Sequence, residues 1–263
     1  MPDNFNPGAP DPNTVTVTPG GATFKTISDA LASIKDASQK RQYLVVAGPG
    51  TYSEQVVLKP YVYLQGAGPD VTVVTTSPVT QQNLFNRGTI VGASNSTISS
   101  LTASCLGGSW GGYSTALLLP ACTSFMASQV VLRCDDMGAA GINIETVAVN
   151  WNSQPEDGPS VVYLSYAAVL ATAQNGDSTP VGMIVNGQAR LTGMESKFIA
   201  AGRNGQAVLS NGGATVTLDN CVAQGQSFAL NIPDYHSTLI ANNCVIDGPV
   251  QNGVQINNNP PPQ

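Results

Sequence analysis

The sequence predicts an all-β solenoid, a single elongated domain in which coils of short strands stack on one another. Two patterns support this prediction. After residue 40 the chain consists of short runs rich in β-branched residues, each ended by Gly, Asn or Pro, which is typical of strands separated by turns. Its last third also repeats at a constant spacing, which indicates stacked structural repeats.

A single helix pattern precedes the strands. Apolar residues recur at helical spacing within residues 26–34, and Thr26 or Ser28 is placed to cap the first turn. These apolar residues are Ile27, Ala30, Leu31 and Ile34. No second long helix pattern follows, so the sequence predicts one N-terminal helix and then strands.

The repeat is clearest near the C-terminus. Gly202, Gly225 and Gly248 lie 23 residues apart, and the match between the last two extends to further positions. The further pairs are Thr215 with Thr238, Val216 with Leu239, Asn220 with Asn243, Cys221 with Cys244, and Val222 with Val245. Stacked coils bring equivalent residues to the spacing of neighbouring strands, ~4.8 Å. We therefore expect the paired cysteines to stack as small buried residues without a disulfide, and the paired asparagines to lie at a turn and hydrogen-bond along the stack.

The predicted domain extends over residues 14–254. Residues 1–13 and 255–263 are polar and rich in Pro and Asn, so the sequence predicts flexible ends with little to bury. Because the core of a solenoid grows with the number of coils, the 263 residues fit one domain. No apolar run reaches the ~18 residues of a membrane span. The first residues lack the basic and apolar segments of a signal peptide, which favours a cytoplasmic protein or a mature form.

Composition narrows the function. Ten basic and 16 acidic residues give a formal net charge of -6 at pH 7, which argues against duplex nucleic acid as a partner. A neutral partner, or a polyanion held at a local basic spot, is left open. The five cysteines contain no CxxC pair and His236 is the only histidine, so we expect no disulfide framework, no metal centre and no cofactor.

Three N-terminal segments carry a recognisable pattern. They are residues 24–31 (FKTISDAL), 43–54 (YLVVAGPGTYSE) and 62–74 (VYLQGAGPDVTVV). This succession resembles the start of pectin methylesterases, in which a helix after F-K-T-I leads into a G-x-Y-x-E strand and an L-x-G-x-G turn. The resemblance covers residues 14–76 and implies a right-handed parallel β-helix of the pectin lyase-like class, with the N-terminal helix capping the open end of the stack. It also implies an extracellular, cell-wall setting as the alternative to the cytoplasm.

Activity in the resembled family rests on four segments: Q-A-x-A-L, Q-D with the general acid, D-F-I-F-G with the nucleophile, and G-R-P-W with an arginine. The resemblance puts Ser114 where a glutamine supports the oxyanion, and it puts Asp135 at the general acid. Ser160 falls in the place of the nucleophile, with Asp157 as the alternative if equal spacing is preferred. No G-R-P-W segment is visible, so Arg203 is a candidate by default.

This set is incomplete for de-esterification. The reaction requires one carboxylate to attack the ester carbonyl and a second carboxyl group to protonate the leaving methoxide. Asp135 alone can perform one of these roles, and Ser160 lacks a base because the only histidine, His236, is distant in the sequence. We therefore expect methylesterase activity to be lost or altered.

Strand alternation predicts where Asp135 points. In residues 129–136 every second residue from Val130 is apolar and faces inward, whereas Arg133 and Asp135 face outward. Asp135 and Asp136 then cannot form a carboxylate pair on one face. Arg133 and Asp135 share the outer face, either as a weak surface ion pair or as part of a functional site.

Aromatic residues in loops predict a binding surface. Trp110 and Tyr113 lie in a Gly-rich loop just before Ser114, and Trp151 lies in a later polar loop. In the resembled family such loops flank the substrate groove, and exposed rings there would stack on sugars. The alternative is that the loops fold back and these rings fill the core. The predicted ligand-binding residues are Trp110, Tyr113, Ser114, Arg133 and Trp151.

Three functions follow from the sequence. The first is a pectinesterase-like β-helix protein that binds a pectin-like polysaccharide in a surface groove, with methylesterase activity lost or altered. The second is an active carbohydrate esterase in which Asp135 works with a partner such as Asp157. The third is a structural or assembly solenoid without a ligand. The sequence predicts no nucleic-acid or membrane partner and leaves the oligomeric state open.

Overall fold

The computed structural model describes residues 13–21, 23–76, 88–106, 115–120, 124–135, 140–145, 160–173, 179–251 and 253–258. These residues form a stack of coils in which every pairing between the strands is parallel. The predicted all-β parallel solenoid is therefore confirmed.

The strands form a 16-stranded sheet, which bends at a corner into two parts called sheet 1 and sheet 2, and a 7-stranded sheet called sheet 3. Sheet 1 contains β1 (Asn13–Val17), β2 (Tyr43–Ala47), β5 (Val62–Gln65), β12 (Val161–Ser165), β15 (Arg190–Met194), β18 (Thr215–Asp219), β21 (Thr238–Asn242) and β23 (Gln255–Asn257). Sheet 2 contains β3 (Gly50–Ser53), β6 (Thr72–Thr76), β13 (Ala168–Thr172), β16 (Lys197–Ala201), β19 (Val222–Gly225) and β22 (Val245–Asp247). Sheet 3 contains β4 (Val56–Val57), β7 (Gly88–Val91), β9 (Thr115–Pro120), β11 (Ala140–Glu145), β14 (Val181–Asn186), β17 (Gln206–Asn211) and β20 (Phe228–Asn231). The long strands β8 (Ser96–Leu106) and β10 (Phe125–Asp135) bend at a corner and belong to sheets 1 and 2.

The helix α1 (Ile27–Ser33) packs against β1, β2 and β4. Its buried residues are Ile27, Ala30 and Leu31. Their spacing is the one that the sequence predicts for a helix with one apolar face. Thr26 provides the cap, because its Oγ1 accepts a hydrogen bond from the Asp29 amide at 3.0 Å. Closure of the end of the stack by this helix stays a prediction.

Glu54 holds the helix from a distant position in the sequence. Its Oε1 accepts a hydrogen bond from the Ile27 amide at 2.8 Å, and its Oε2 accepts one from the Ser28 amide at 2.9 Å. The first amides of a helix have no partner within the helix and carry partial positive charge, so a carboxylate stabilises them. The glutamate of the G-x-Y-x-E segment therefore ties α1 to the first coil.

The corner between sheets 1 and 2 is built from residues with a left-handed backbone. Gln129 within β10 has φ 54°, and Asn220 and Asn243 have φ 53° and 51° in later coils. Asparagine adopts this conformation more readily than most residues, and the predicted position of the two asparagines at a turn is confirmed. Beside them, Asn242 Nδ2 donates to Asp219 Oδ1 at 2.6 Å along the stack. Side-chain hydrogen bonding between the two asparagines themselves stays a prediction.

The coil length is not constant. Strand pairings link Lys197 to Val222 and Val222 to Val245, which are spacings of 25 and 23 residues. Turns of different lengths separate the strands, while the strands themselves stay in register. The register aligns Gly225 with the residue two positions before Gly202. The equal spacing of those two glycines is therefore a coincidence, and including Gly202 in the repeat is wrong.

Cys221 and Cys244 stack in neighbouring coils as predicted, and both are buried and form no disulfide. The Cys221 amide donates to Cys244 Sγ at 3.4 Å. In an earlier coil a hydroxyl takes the same role, because the Ala167 amide donates to Ser196 Oγ at 3.1 Å. These side chains satisfy amides just after the corner. Hydrogen bonding to Cys244 and burial raise the pKa of Cys221, so its thiol stays protonated.

The predicted chain ends differ partly from the structure. Residues 255–257, which the sequence predicts to belong to a flexible tail, form β23 and pair with β21. Asn13 likewise belongs to β1. The edge of a sheet offers unpaired backbone groups, so a short segment can pair without a strong strand pattern of its own. Within the described ranges, no helix is long and apolar enough to cross a membrane.

Candidate functional site

The second half of β10 carries the two charged residues that the sequence singles out. Leu132 and Cys134 are fully buried, whereas Arg133 and Asp135 are half-buried on the opposite face of the strand. At the left-handed Gln129, where the chain turns from sheet 1 into sheet 2, two successive residues face outward, and the alternation resumes after it. Arg133 and Asp135 therefore lie on the outer face of sheet 2, which confirms the predicted alternation in this strand.

The predicted ion pair between these two residues is not formed. The one ion pair within the described parts of the chain joins Arg41 to Asp36 near the N-terminus. Arg133 Nε is buried and has no hydrogen-bond partner. A buried donor without a partner costs free energy, so this Nε does not stabilise the fold.

The coils beside Asp135 hold no second carboxylate at the same position. The register partners of Asp135 are Leu106 in β8 and Thr172 in β13. The other candidate carboxylate, Asp157, lies outside the described residues, as does Asp136. In the described part of the chain, Asp135 has no carboxylate partner in register for the two-carboxyl chemistry of de-esterification.

Ser160 lies in the interior. It immediately precedes β12, its side chain is 1% exposed, and its Oγ has no hydrogen-bond partner. The residues that follow it in the stack are Ala189 and Ala214, both fully buried, and each offers its carbonyl to the next coil as Ser160 does to Arg190 at 2.7 Å. Ser160 thus occupies a ladder of small inward residues, separate from the outer face that carries Asp135.

Arg203 lies at the same edge of sheet 2 as Asp135. It is exposed in the turn that follows β16, where the Gly205 amide donates to the Gly202 carbonyl at 2.8 Å. Asp135 pairs with Thr172, and Thr172 pairs with Ala201, two residues before Arg203. The structure therefore places Asp135 and Arg203 two coils apart along one edge, a separation of about 10 Å along the solenoid axis.

Sequence reasoning missed Lys197, which shares this face. In β16, Phe198 is fully buried and Lys197 is exposed, so the lysine points outward. The register connects Val131 through Ala168 to Lys197, which places the lysine two coils from β10. Its signal in the sequence was the alternation of a charged residue with apolar ones, which is common on any strand.

The remaining predicted site residues lie outside the described residues. They are Trp110, Tyr113, Ser114, Trp151 and Asp157. Their assignments stay predictions. Within the described ranges, no group of three or more His, Cys, Asp or Glu side chains is placed to hold a metal ion.

The stacked parallel sheets define a class of protein: the chain has a pectin methylesterase-like fold, a parallel β-helix. No protein-family model matches the sequence, and no curated protein matches it. The similarity is therefore carried by structure.

Among the solved structures that match is pectin methylesterase from carrot, with a TM-score of 0.61 and 14% identity over 93% of this chain and 88% of that chain. Pectin methylesterase PemA from Erwinia chrysanthemi matches with a TM-score of 0.59 and 12% identity over 92% of each chain. A pectin methylesterase in complex with a hexasaccharide matches with a TM-score of 0.60 and 12% identity, again over 92% of each chain. At identities this low, the structural similarity establishes the fold alone. The function has to be argued from the residues of the site.

Proposed function

We propose that this protein binds a pectin-like polysaccharide on the outer face of sheet 2, and that the methylesterase chemistry of proteins with this fold is lost or altered in it. One observation carries the proposal. Arg133 and Asp135 lie half-buried two residues apart on that face, and neither forms an ion pair with another described residue. Unpaired polar groups on a rigid sheet are suited to hydrogen-bond the hydroxyl and carboxyl groups of a sugar chain.

The fold supports the polysaccharide as the ligand. A structure with the same fold was solved with a hexasaccharide bound, and a solenoid presents a long surface to an extended polymer. Trp110, Tyr113 and Trp151, which lie outside the described residues, are proposed to stack on rings of the bound sugar chain.

The chemistry supports loss or alteration of esterase activity. Attack on an ester carbonyl and protonation of the leaving methoxide require two carboxyl groups. In the described coils that flank Asp135, its register partners are Leu106 and Thr172, and neither carries a carboxyl group. The buried Ser160 hydroxyl is not on this face.

The direct test is binding to a glycan panel. The full chain is titrated with polygalacturonate, methyl-esterified pectin and neutral galactan, and then the variants Trp110→Ala and Trp151→Ala are titrated with the best ligand. We expect binding to at least one acidic or esterified glycan, and a loss of about tenfold or more in affinity in each Trp variant. Absence of binding to every glycan would remove the proposal and favour the structural solenoid.

An active carbohydrate esterase is the second candidate, because Asp135 and Arg203 lie along one edge of sheet 2. Methanol release from methyl-esterified pectin is measured from pH 4 to 9 for the native chain, for Asp135→Asn, and for the control Asp247→Asn on the same sheet. Release that disappears in Asp135→Asn alone supports the esterase. If no methanol is released at any pH from 4 to 9, the esterase function is excluded and the binding function is unaffected.

A further inference from the structure

Over β10 to β16 the outer face of sheet 2 carries more basic than acidic side chains in a protein that is acidic overall, whereas Asp247 projects from its last strand, β22. The chain has a formal net charge of -6, yet Arg133 and Lys197 project from this face and Arg203 follows at its edge. Among the described residues of β10, β13 and β16, the carboxylate on this face is that of Asp135. We call Arg133, Lys197 and Arg203 the basic strip.

The basic strip runs along the solenoid axis. Arg133 is in register with Leu170, and Leu170 is in register with Ile199, so the strip spans β10, β13 and β16. Lys197 is the first residue of β16 and Arg203 follows its end, two coils from Arg133 and about 10 Å along the axis. The half-buried side chains of Leu170 and Ile199 lie between these cations. The surface therefore offers positive charge at both ends of a short apolar patch.

The cations of the strip have no ionic partner in the described structure. The one ion pair there is Arg41–Asp36, which belongs to the N-terminal region. Arg133 Nε is moreover buried without a hydrogen-bond partner. Because Nε is buried, a ligand carboxylate would pair with the two terminal nitrogens of the half-buried Arg133, whose planar geometry matches the two carboxylate oxygens.

We infer that the basic strip binds the carboxylate groups of an acidic polysaccharide that lies along the solenoid axis, and that the protein prefers free-acid uronate chains to their methyl esters. This inference rests on the proposed polysaccharide-binding function. Methyl esterification removes the negative charge, so an esterified chain leaves the guanidinium and ammonium groups unpaired. The preference is the opposite of the one that a substrate site for de-esterification requires. Nucleic acid is disfavoured because three cations on an acidic protein neutralise few phosphates.

The test is calorimetric titration of the full chain with four polymers. They are polygalacturonate, fully methyl-esterified pectin, neutral galactan, and single-stranded DNA. We expect polygalacturonate to bind at least about tenfold more tightly than the methyl ester, and its affinity to fall as salt increases, because the contacts are charged. Methanol is assayed in the same samples, so that conversion of the ester to the acid is detected.

Matched variants locate the strip. Arg133→Gln is expected to weaken polygalacturonate binding about tenfold, and the exposed Lys197→Gln and Arg203→Gln about threefold each. The control Arg190→Gln removes the same charge from an exposed position on sheet 1 and is expected to leave the affinity unchanged. Arg133→Lys keeps the charge and loses the planar fork, so it should fall between the native chain and Arg133→Gln. If Arg133→Gln does not fold, the two exposed variants carry the test.

The outcomes separate this inference from the proposed function. Equal or tighter binding of the methyl ester, or equal losses in Arg190→Gln and Lys197→Gln, overturns the basic strip and leaves polysaccharide binding standing. Tighter binding of single-stranded DNA overturns the choice of a polysaccharide for the strip. Binding to none of the glycans removes both the inference and the proposed function.

Discussion

The interior of the stack and the outer face of sheet 2 are built from the same strands, but they use their side chains differently. In β16, Phe198 is fully buried beside the exposed Lys197, and in β10 the buried Leu132 precedes Arg133. Inside, apolar and small side chains repeat from coil to coil. Outside, the cations have no ionic partner in the described structure. Stability therefore accounts for the interior, whereas for the outer face we propose a ligand. The following variants test whether the two regions are separable in this way.

The largest expected effect is on the interior of β16. Phe198→Ala removes a fully buried ring and should lower the free energy of unfolding by about 3–5 kcal/mol, because the cavity cannot collapse between rigid coils. Its neighbour Lys197→Ala should change it by no more than about 0.5 kcal/mol. Denaturant unfolding followed by circular dichroism measures both. Similar losses of unfolding free energy in the two variants would mean that the inner and outer faces of sheet 2 contribute equally to stability.

The contact between Glu54 and α1 extends the comparison to the first coil. Glu54→Gln keeps the shape of the side chain but loses the charge and one of the two acceptors for the Ile27 and Ser28 amides. We expect a loss of about 1.5–3 kcal/mol in the free energy of unfolding, the range for hydrogen bonds to a charged group. Glu195→Gln, an exposed carboxylate at the corner, is the control and should have little effect. An equal loss in both variants would contradict the assigned role of Glu54.

The thiol stack predicts a smaller effect. Cys221→Ala removes the hydrogen bonds that its thiol donates to the Gly193 and Asp219 carbonyls, which should cost about 1–2 kcal/mol. Cys221→Ser should cost less than the alanine variant, because Ser196 already uses a hydroxyl at the equivalent position. Thermal unfolding of both variants measures the difference. A serine variant less stable than the alanine variant would show that Cys221 acts only as a buried apolar group.

Ser160 provides the smallest expected effect. Its buried hydroxyl has no partner, so Ser160→Ala should be neutral or stabilise the protein by up to about 1 kcal/mol. Glycan binding should not change. If Ser160→Ala folds normally but loses glycan binding or methanol release, Ser160 has a functional role.

Much of this fold follows from local sequence patterns. Alternation along β10 predicted the outward positions of Arg133 and Asp135, and the stacking of Cys221 and Cys244 followed from their spacing. The coil lengths before the last repeat were not predictable, because turns of variable length leave no periodic signal. The role of Glu54 depends on a contact with the amide of Ile27, 27 residues earlier.

The site was less predictable than the fold. Ser160 was chosen by motif position, and motif position does not show that its hydroxyl faces a ladder of small residues. Lys197 was missed because one lysine on a strand resembles an ordinary solvated residue, and its relation to Arg133 exists only through the register of three coils. Charge on one face of a solenoid is assembled from distant parts of the chain.

The most direct test of the central claim is chemical-shift mapping of backbone amides with a galacturonate hexamer. At saturation we expect the largest shifts on sheet 2, at Arg133, Asp135, Leu170, Lys197 and Ile199, and small shifts on the outer face of sheet 1, for example at Tyr163. Shifts concentrated on sheet 1, or no shifts at concentrations that saturate binding by calorimetry, would contradict the assignment of the outer face of sheet 2 as the polysaccharide-binding surface.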